Sequence, residues 1–446
     1  MQSQISQGAQ AIHGAAIHRV GFVSTRIAGT DGVSLEIAKW EAVIRELGLE
    51  CFYITGESDR PAERTALIEE AHFTHPSVLE ISQRAFGTET RTAGLTREIL
   101  ELSLTLKDKI HQAVEAFDLD VIIAENALTI PMNIPLGVAL VMGLQEMGVA
   151  CVAHHHDFYW ERERFLLGAV DDFLRFAFPP ALPHVQHVVI NSIAAEEFSR
   201  RTGLSCRIIP NVMDFSKPPE PPDDYAREFR REIGLQEHDI LILQPTRVIQ
   251  RKGIEHAIEL CHKLDRDRAK LVITHQAGDE GLAYQERLRD FAGLLGVDML
   301  FVADRIGETR GLDAQGRKRF TLSDAFSQAD LVAYPSEYEG FGNAFLEAIY
   351  NRCPVICNRY SIYRTDIEPF GFRSILFDGF LTEATINDAR KVLSDAALRE
   401  EIVEHNYEAG ARFFGFDVLR EEFFMMLRRP HNVYRLRARS HRFQSL

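Results

Sequence analysis

The chain has 446 residues, enough for two or three domains with substantial cores, and its 46% hydrophobic and 26% charged make-up is that of a soluble globular protein. A net charge of −15 argues against a general nucleic-acid binder, which must neutralise phosphates. Six cysteines with no Cys-x-x-Cys pair suggest neither a disulfide framework nor a zinc site. The amino terminus, MQSQISQGAQAIHGAA, lacks a basic start and an apolar run, so it reads as a disordered tail over 1–17 and as no signal peptide. The longest apolar stretch, IPLGVALVMGL, is shorter than the roughly 18 residues that span a bilayer. A soluble, cytoplasmic protein is expected.

Taken in order, HRVGFVST reads as a strand, VSLEIAKWEAVIRELG as a helix and LECFYITGE as a second strand. A long helical stretch around TREILELSLTLKDKIHQAVEAF follows, then strand DVIIAEN, helix IPLGVALVMGLQEMG, and strands VACVAHHH and HVVINS. The pattern then starts afresh with DILILQPTR, helix GIEHAIELCHKL, and strands KLVITHQA, DMLFVAD, DLVAYPS and PVICN separated by helices. Short apolar strands alternating with helices predict α/β architecture with two Rossmann-like, doubly wound parallel sheets in tandem. Cys353 and Cys357 flank the last strand and are expected in the core.

Between the halves, IIPNVMDFSKPPEPPDDYAREF carries five prolines and several acids, the composition of a linker. The expected division is an amino-terminal domain at 18–215, a linker at 216–237, a carboxy-terminal domain at 238–415 and a terminal segment at 416–446. GETRGLDAQGRKR, residues 307–319, reads as an inserted loop. In the terminal segment, DVLREEFFMMLRR is an amphipathic helix expected to return to the first domain. From its last two residues onward the chain holds Arg428, Arg429, Arg435, Arg437, Arg439 and Arg442 and no acid. Such a tail is either solvated or paired within the molecule, or it meets an anionic lipid surface, an acidic partner or a second copy.

Ligands of open α/β sheets bind beyond the carboxyl ends of the strands, so the candidates are sought there. Arg247 ends one strand and Lys252 precedes the next helix; the two can converge on a pyrophosphate or be solvated cations. In YPSEYEGFGNAFLEAI, Gly340 and Gly342 make a turn and a helix begins near Asn343 with its first amides available. Glu339 lies before that turn and Glu347 about one helical turn inside; the alternative is an exposed acid and a dipole-favoured acid. In the first half, His154 and His156 point to one side of their strand and His155 to the other, which disfavours a three-histidine metal site. His156 with Asp157 is the stronger functional candidate. Arg162 and Arg164 either face an anionic acceptor or pair with Glu161 and Glu163. Glu125 and Asn126 either bind acceptor hydroxyls or, for Asn126, cap a helix. GTDGVSLE, residues 29–36, is a weak anion-binding signal that can equally be a plain turn.

Together PTRVIQRKGIEHAI, SEYEGFGNAFLEAI and IIPNVMD resemble the phosphate motif, the Glu-x7-Glu motif and the domain-boundary motif of the retaining GT-B glycosyltransferases of family four. The resemblance implies donor binding in the second domain and acceptor binding mainly in the first, across a cleft. By position it implies that Arg247 and Lys252 hold the donor pyrophosphate, Glu339 the transferred sugar and Glu347 the ribose, with Gly340, Phe341, Gly342 and Asn343 lining sugar and phosphates. It implies that His156, or His155 as the alternate, approaches the donor sugar, and that Gly32 belongs to a phosphate-side glycine loop whose usual glycine pair is replaced by GTDG. A nucleotide sugar is the implied co-substrate, with no tightly bound cofactor and no required divalent metal. GTDGVSLE, ENALTIPMNIPLG and HHHDFYWERERF resemble the mannosylglucosylglycerate synthase-like branch, which builds small glycosides. The rival readings are a GT-B epimerase or hydrolase and a silent nucleotide-sugar-binding scaffold; a dehydrogenase lacks its glycine-rich turn.

Overall fold

A computed structural model of the chain describes residues 17–29, 31–277 and 282–427. The expected tail at 1–17, apart from Ile17, and the arginine-rich end from Arg428 lie outside the described residues. The described chain forms two units, 17–211 with 417–427, and 212–416.

The amino-terminal unit is built on seven strands: β1 Arg19–Ser24, β2 Glu50–Thr55, β3 Thr65–Leu67, β4 Val121–Glu125, β5 Ala150–His155, β6 Val185–Val189 and β7 Cys206–Ile208. They are all parallel, in the order β3-β2-β1-β4-β5-β6-β7. Every residue of β4 and β5 is buried, as expected where helices cover both faces of a parallel sheet. One covering helix, Ile134–Met147, is buried nearly all round and packs on the 24-residue helix Ala93–Ala116. The terminal helix Phe416–Leu427 rests on this unit: Phe423 meets Trp40 with ring centroids 6.1 Å apart, and Arg420 pairs with Glu46.

The carboxy-terminal unit holds β8 Ile240–Gln244, β9 Ala269–Ile273, β10 Asp298–Phe301, the short β11 Gly311–Leu312 and β12 Lys318–Arg319, then β13 Leu331–Tyr334, β14 Val355–Asn358 and β15 Ile375–Phe377. Its six-stranded parallel sheet runs β10-β9-β8-β13-β14-β15. Strand order therefore reverses between β1 and β4 in one unit and between β8 and β13 in the other. At such a point the flanking connections leave in opposite directions and open a crevice at the strand ends.

Two segments are more ordered than their composition implies. Residues 216–237 are not an extended linker throughout. Asp223 caps the short helix Asp224–Arg227, a second runs Phe229–Glu232, and the fully buried Phe229 packs on Phe320 at 5.2 Å. The 307–319 insertion folds as the antiparallel pair β11–β12. Arg310 clamps it to Asp223 and Asp324, and the Tyr225 hydroxyl lies 2.9 Å from the carbonyl oxygens of Gly311 and Arg319. Polar side chains that look like loop residues here serve as ties.

Candidate active site

Two loops meet at the β8/β13 reversal. After β8 the chain makes a one-turn helix, Gln250–Lys252, and then Gly253 at φ +58° starts the helix Ile254–Asp265. A Cβ on Gly253 would stand 2.7 Å from the Pro335 carbonyl oxygen, so only glycine lets the two loops approach this closely. The Glu337 amide donates to the Arg251 carbonyl at 2.9 Å, which locks them together.

This lock brings three charges into contact. Lys252 Nζ forms an ion pair with one oxygen of Glu339, and Arg251 Nη1 reaches the other at 3.1 Å and the Tyr338 carbonyl at 2.8 Å. Lys252 and Glu339 are each only 7% exposed. Burial by itself would raise the Glu339 carboxyl, but the adjacent Lys252 and Arg251 outweigh it and hold the group ionised below its ordinary range. Burial, together with Arg251 and Arg247, works in the opposite sense on Lys252 and lowers it against the pull of Glu339. Arg247 is exposed, and its guanidinium has no ion pair among the described residues. At this reversal, then, Arg251 and Lys252 are both committed to Glu339, and Arg247 has no ion pair among the described residues.

The turn after Glu339 presents backbone. Gly342 sits at φ +135°, and a Cβ there would meet the Tyr360 hydroxyl at 2.4 Å. Tyr360 donates to the Phe341 carbonyl at 2.7 Å, fixing the turn from behind. Phe341 itself is 3% exposed and packs on Phe414, so its ring belongs to the core and only its backbone can line a ligand. The helix Asn343–Tyr350 begins at Gly342 with no side-chain cap, and Glu347 lies half-buried one turn into it. Helix-start amides without a cap favour an anion.

At the other reversal, Glu125 ends β4 directly beside His154 of β5 in the parallel register, so the two side chains share a face. His156, two residues on, returns to that face. Oε2 of Glu125 accepts from His154 Nδ1 at 3.0 Å and from His156 Nε2 at 3.1 Å. Glu125 has no exposed surface, so it does not reach acceptor hydroxyls directly; its contact with solvent passes through His156. Asn126, at φ +57°, caps no helix. Its side-chain Oδ1 accepts from the His156 backbone amide at 3.1 Å and its Nδ2 donates to Asp157 at 3.0 Å, which shapes the turn that carries His156.

His155 points into the opposite face and, buried, is not placed to bind an acceptor substrate. His187 Nε2 donates to the Pro180 carbonyl at 3.1 Å, so its Nδ1 accepts from His155 Nε2 at 2.9 Å, and His155 Nδ1 in turn accepts from the Thr129 hydroxyl. Burial, then the neighbouring histidines, push His155 well below its ordinary range; it is a neutral core residue stacked near Phe158 and Phe198. Arg162 pairs with Asp157 rather than with Glu161 or Glu163, and Arg164 lies 4.5 Å above the Phe165 ring. Gly32 opens the helix Gly32–Glu46, whose Val33 and Ser34 amides are taken by the Asp31 carboxylate. A phosphate at that helix start would have to displace the Asp31 cap, so Gly32 opens a poor anion cradle.

The residues that sequence reasoning missed are the ones defined by contact: Arg251, Gly253 and Tyr360. Arg251 was visible as the cation next to Lys252, but nothing along the chain says which cation meets Glu339. His275, after β9, is a further case; burial, then Lys252 and Arg247, hold its imidazole neutral.

The family model for glycosyl transferases group 1 matches residues 226–409. A mannosylglucosylglycerate synthase of Petrotoga mobilis is 31% identical over 379 residues, covering 80% of this chain and 86% of that protein. The mannosylglucosylglycerate synthase of Thermotoga maritima is 29% identical, covering 88% of this chain and 95% of that one. Among solved structures, a glycosyltransferase from Rickettsia africae matches with a TM-score of 0.66 at 11% identity over 93% of this chain and 98% of its own. Anabaena HepE, in complex with UDP and glucose, matches with a TM-score of 0.62 at 14% identity over 92% and 98%. These likenesses identify the GT-B fold. With 31% identity to the Petrotoga mobilis protein over most of both chains, and the family model matching residues 226–409, the chain belongs to the group 1 glycosyltransferases.

Proposed function

We propose that the protein transfers a hexose from a nucleoside diphosphate sugar, with retention, to a small anionic acceptor of the glycerate-glycoside type. The observation that carries this reading is the β8/β13 reversal, where Arg247 stands uncommitted beside the buried Lys252–Glu339 pair and an uncapped helix start. A departing nucleoside diphosphate gathers negative charge, and preorganised cations and amides stabilise it without reorganisation. In this reading Arg247 and Lys252 grip the pyrophosphate, the backbone from Gly340 to Asn343 follows the phosphates and sugar, Glu339 takes sugar hydroxyls and Glu347 the ribose. His156 approaches the donor sugar, and Arg162 and Arg164 face the acceptor charge.

Double displacement needs a carboxylate nucleophile about 5 Å from an acid. Both buried site carboxylates are already engaged, Glu339 by two cations and Glu125 by two imidazoles. That favours attack on the face the phosphate leaves, with the leaving phosphate helping to take the acceptor proton. Cationic side chains supply the charge that a divalent ion would otherwise bring. The names of the two relatives favour a glycerate glycoside as acceptor. No described helix is long and apolar enough to cross a membrane, and a cytoplasmic location is part of this reading.

The test is a thermal-shift screen against UDP-, GDP- and ADP-sugars, followed by product analysis with glycerate and glucosylglycerate. A donor at 100 times its Kd stabilises the folded state by about 2.7 kcal/mol. An α-linked product from an α-linked donor is expected. Turnover of donor alone would point to an epimerase or hydrolase, and binding without any turnover to a scaffold.

A further inference from the structure

We propose that Glu125 is a positioning residue for transfer: it grips His156 by Nε2 and keeps that ring in the cationic form, with Nδ1–H as the donor turned to ligand. The inference rests on the transferase reading for its kinetic arm and on geometry alone for the rest.

A carboxylate can only accept, so both imidazole contacts to Glu125 Oε2 are N–H donations, from Nδ1 of His154 and from Nε2 of His156. That fixes the orientation of the His156 ring. Its other nitrogen, Nδ1, has no partner among the described residues and, unlike Nε2 of His154, is not sealed from solvent. Asn126 holds the backbone of the same residue, so ring and main chain are both pinned. His154 is clamped in turn by Trp40, with centroids 4.6 Å apart, and shares the carboxylate rather than competing for the outward position.

Charge balance says which state the ring prefers. The helix Gly32–Glu46 contributes Glu36, 1% exposed, with Lys39 at 3.0 Å. The turn after β5 contributes Asp157, paired with Arg162. Each of those two acids has a cation of its own, whereas Glu125 is a buried carboxylate with Oε1 unpartnered and imidazoles on Oε2. An uncompensated buried charge is costly, and one proton on the pair of rings removes it. The neighbouring charges act in the same sense. Burial would push His156 down, but the bond to Glu125 and the charges of Glu125, Glu36 and Asp157 raise it, while Glu125 is held at about 2 against its own burial by His154 and His156. An imidazolium is a stronger donor to a ligand oxygen than a neutral ring.

The experiment compares wild type, Glu125→Gln and Glu125→Asp. In wild type the imidazole resonances of His156, assigned by loss in His156→Ala and recorded without any substrate, should titrate above the ordinary value of about 6.5. In Glu125→Gln that midpoint should fall by at least one pH unit. The alkaline limb of kcat/KM should move to lower pH by the same amount, leaving the rate near pH 6 much less affected than the rate near pH 8. Glu125→Asp, which keeps the charge, should restore most of the limb. A His156 midpoint at or below about 6.5 in wild type overturns the proposal even if Glu125→Gln fails to fold. A rate lowered equally at every pH overturns it in favour of a structural role. One equivalent of a divalent metal that copurifies with wild type and is lost from Glu125→Gln overturns it in favour of a metal centre. If no nucleotide sugar is turned over, the transferase reading fails while the titration still decides this one.

Discussion

In the carboxy-terminal unit the two helices that leave the strand reversal, Ile254–Asp265 and Asn343–Tyr350, start at Gly253 and Gly342, which have no side chain to cap them; the Ile254 amide donates instead to the Tyr284 hydroxyl at 3.0 Å. In the amino-terminal unit their counterparts, Gly32–Glu46 and Ile134–Met147, are closed by Asp31 and Asn133. The topology is the same, but the amino-terminal helix starts are closed by the side chains of their own cap residues and the carboxy-terminal ones are not. The buried carboxylates follow suit. Glu339 is balanced by a lysine and an arginine, whereas Glu125 is balanced by two histidines. Imidazole is the side chain whose ordinary value lies nearest neutral pH, so the two sites differ in kind. A shared fold therefore fixes where chemistry sits without fixing its kind.

The sharpest way to break this comparison is Lys252→Ala. It leaves Glu339 buried with Arg251 as its remaining cation, and removing one partner of a buried pair costs about 3–5 kcal/mol. Loss of a charge-stabilising donor should also cut turnover about 10²–10³-fold. Melting curves and kcat with a saturating donor check both; a small loss in each would mean the pair is not a buried charge site. Arg247→Ala should separate binding from stability. An exposed, uncommitted cation should leave stability within about 0.5 kcal/mol, yet its loss from a phosphate should weaken nucleotide binding by about 1.5–3 kcal/mol. Calorimetry with the donor nucleotide reads the second number, and equal affinity would remove Arg247 from the phosphate site.

The pH dependence sharpens the contrast between the carboxylates. The Glu125 carboxyl is held at about 2, below its ordinary 4.5, so its contribution is present above pH 4.5 and is lost as pH falls toward 2. His156 is raised, so its contribution is complete below the ordinary histidine value and fades as pH rises through the folded one. Urea melts of wild type and Glu125→Gln across pH 3–9 should show stability of wild type declining at both ends, with the difference between the proteins largest between them. The smallest effect belongs to Arg162→Ala. The exposed pair with Asp157 should contribute about 0–1 kcal/mol, while the KM for a glycerate-type acceptor should rise. An unchanged acceptor KM would end the anion-clamp role of Arg162.

Much of the fold was legible because its signals are local. Alternating apolar strands and helical periods mark the long elements, while β3, β7 and β15, three residues each, offer too few positions to show a period. The linker was misjudged over 224–232 because proline content hides one buried anchor, Phe229. At the site, Glu339, Lys252 and Arg247 could be picked out as types at strand ends, but Glu125 and His155 were taken for ligand-facing groups when burial removes them from the surface.

By itself the sequence determined the class of each segment, the glycine turns that only small backbone can make, and the alternation that sends His154 and His156 to one face and His155 to the other. Those depend on dihedral preferences and residue period, which neighbours in the chain fully specify. Tertiary structure alone decided that Arg251 rather than Arg247 meets Glu339, that Asp31 closes its own helix, and that Glu125 is shared by two imidazoles. Pairing among charges is set by distance and desolvation across strands far apart in sequence, so it exists only once the sheets have formed.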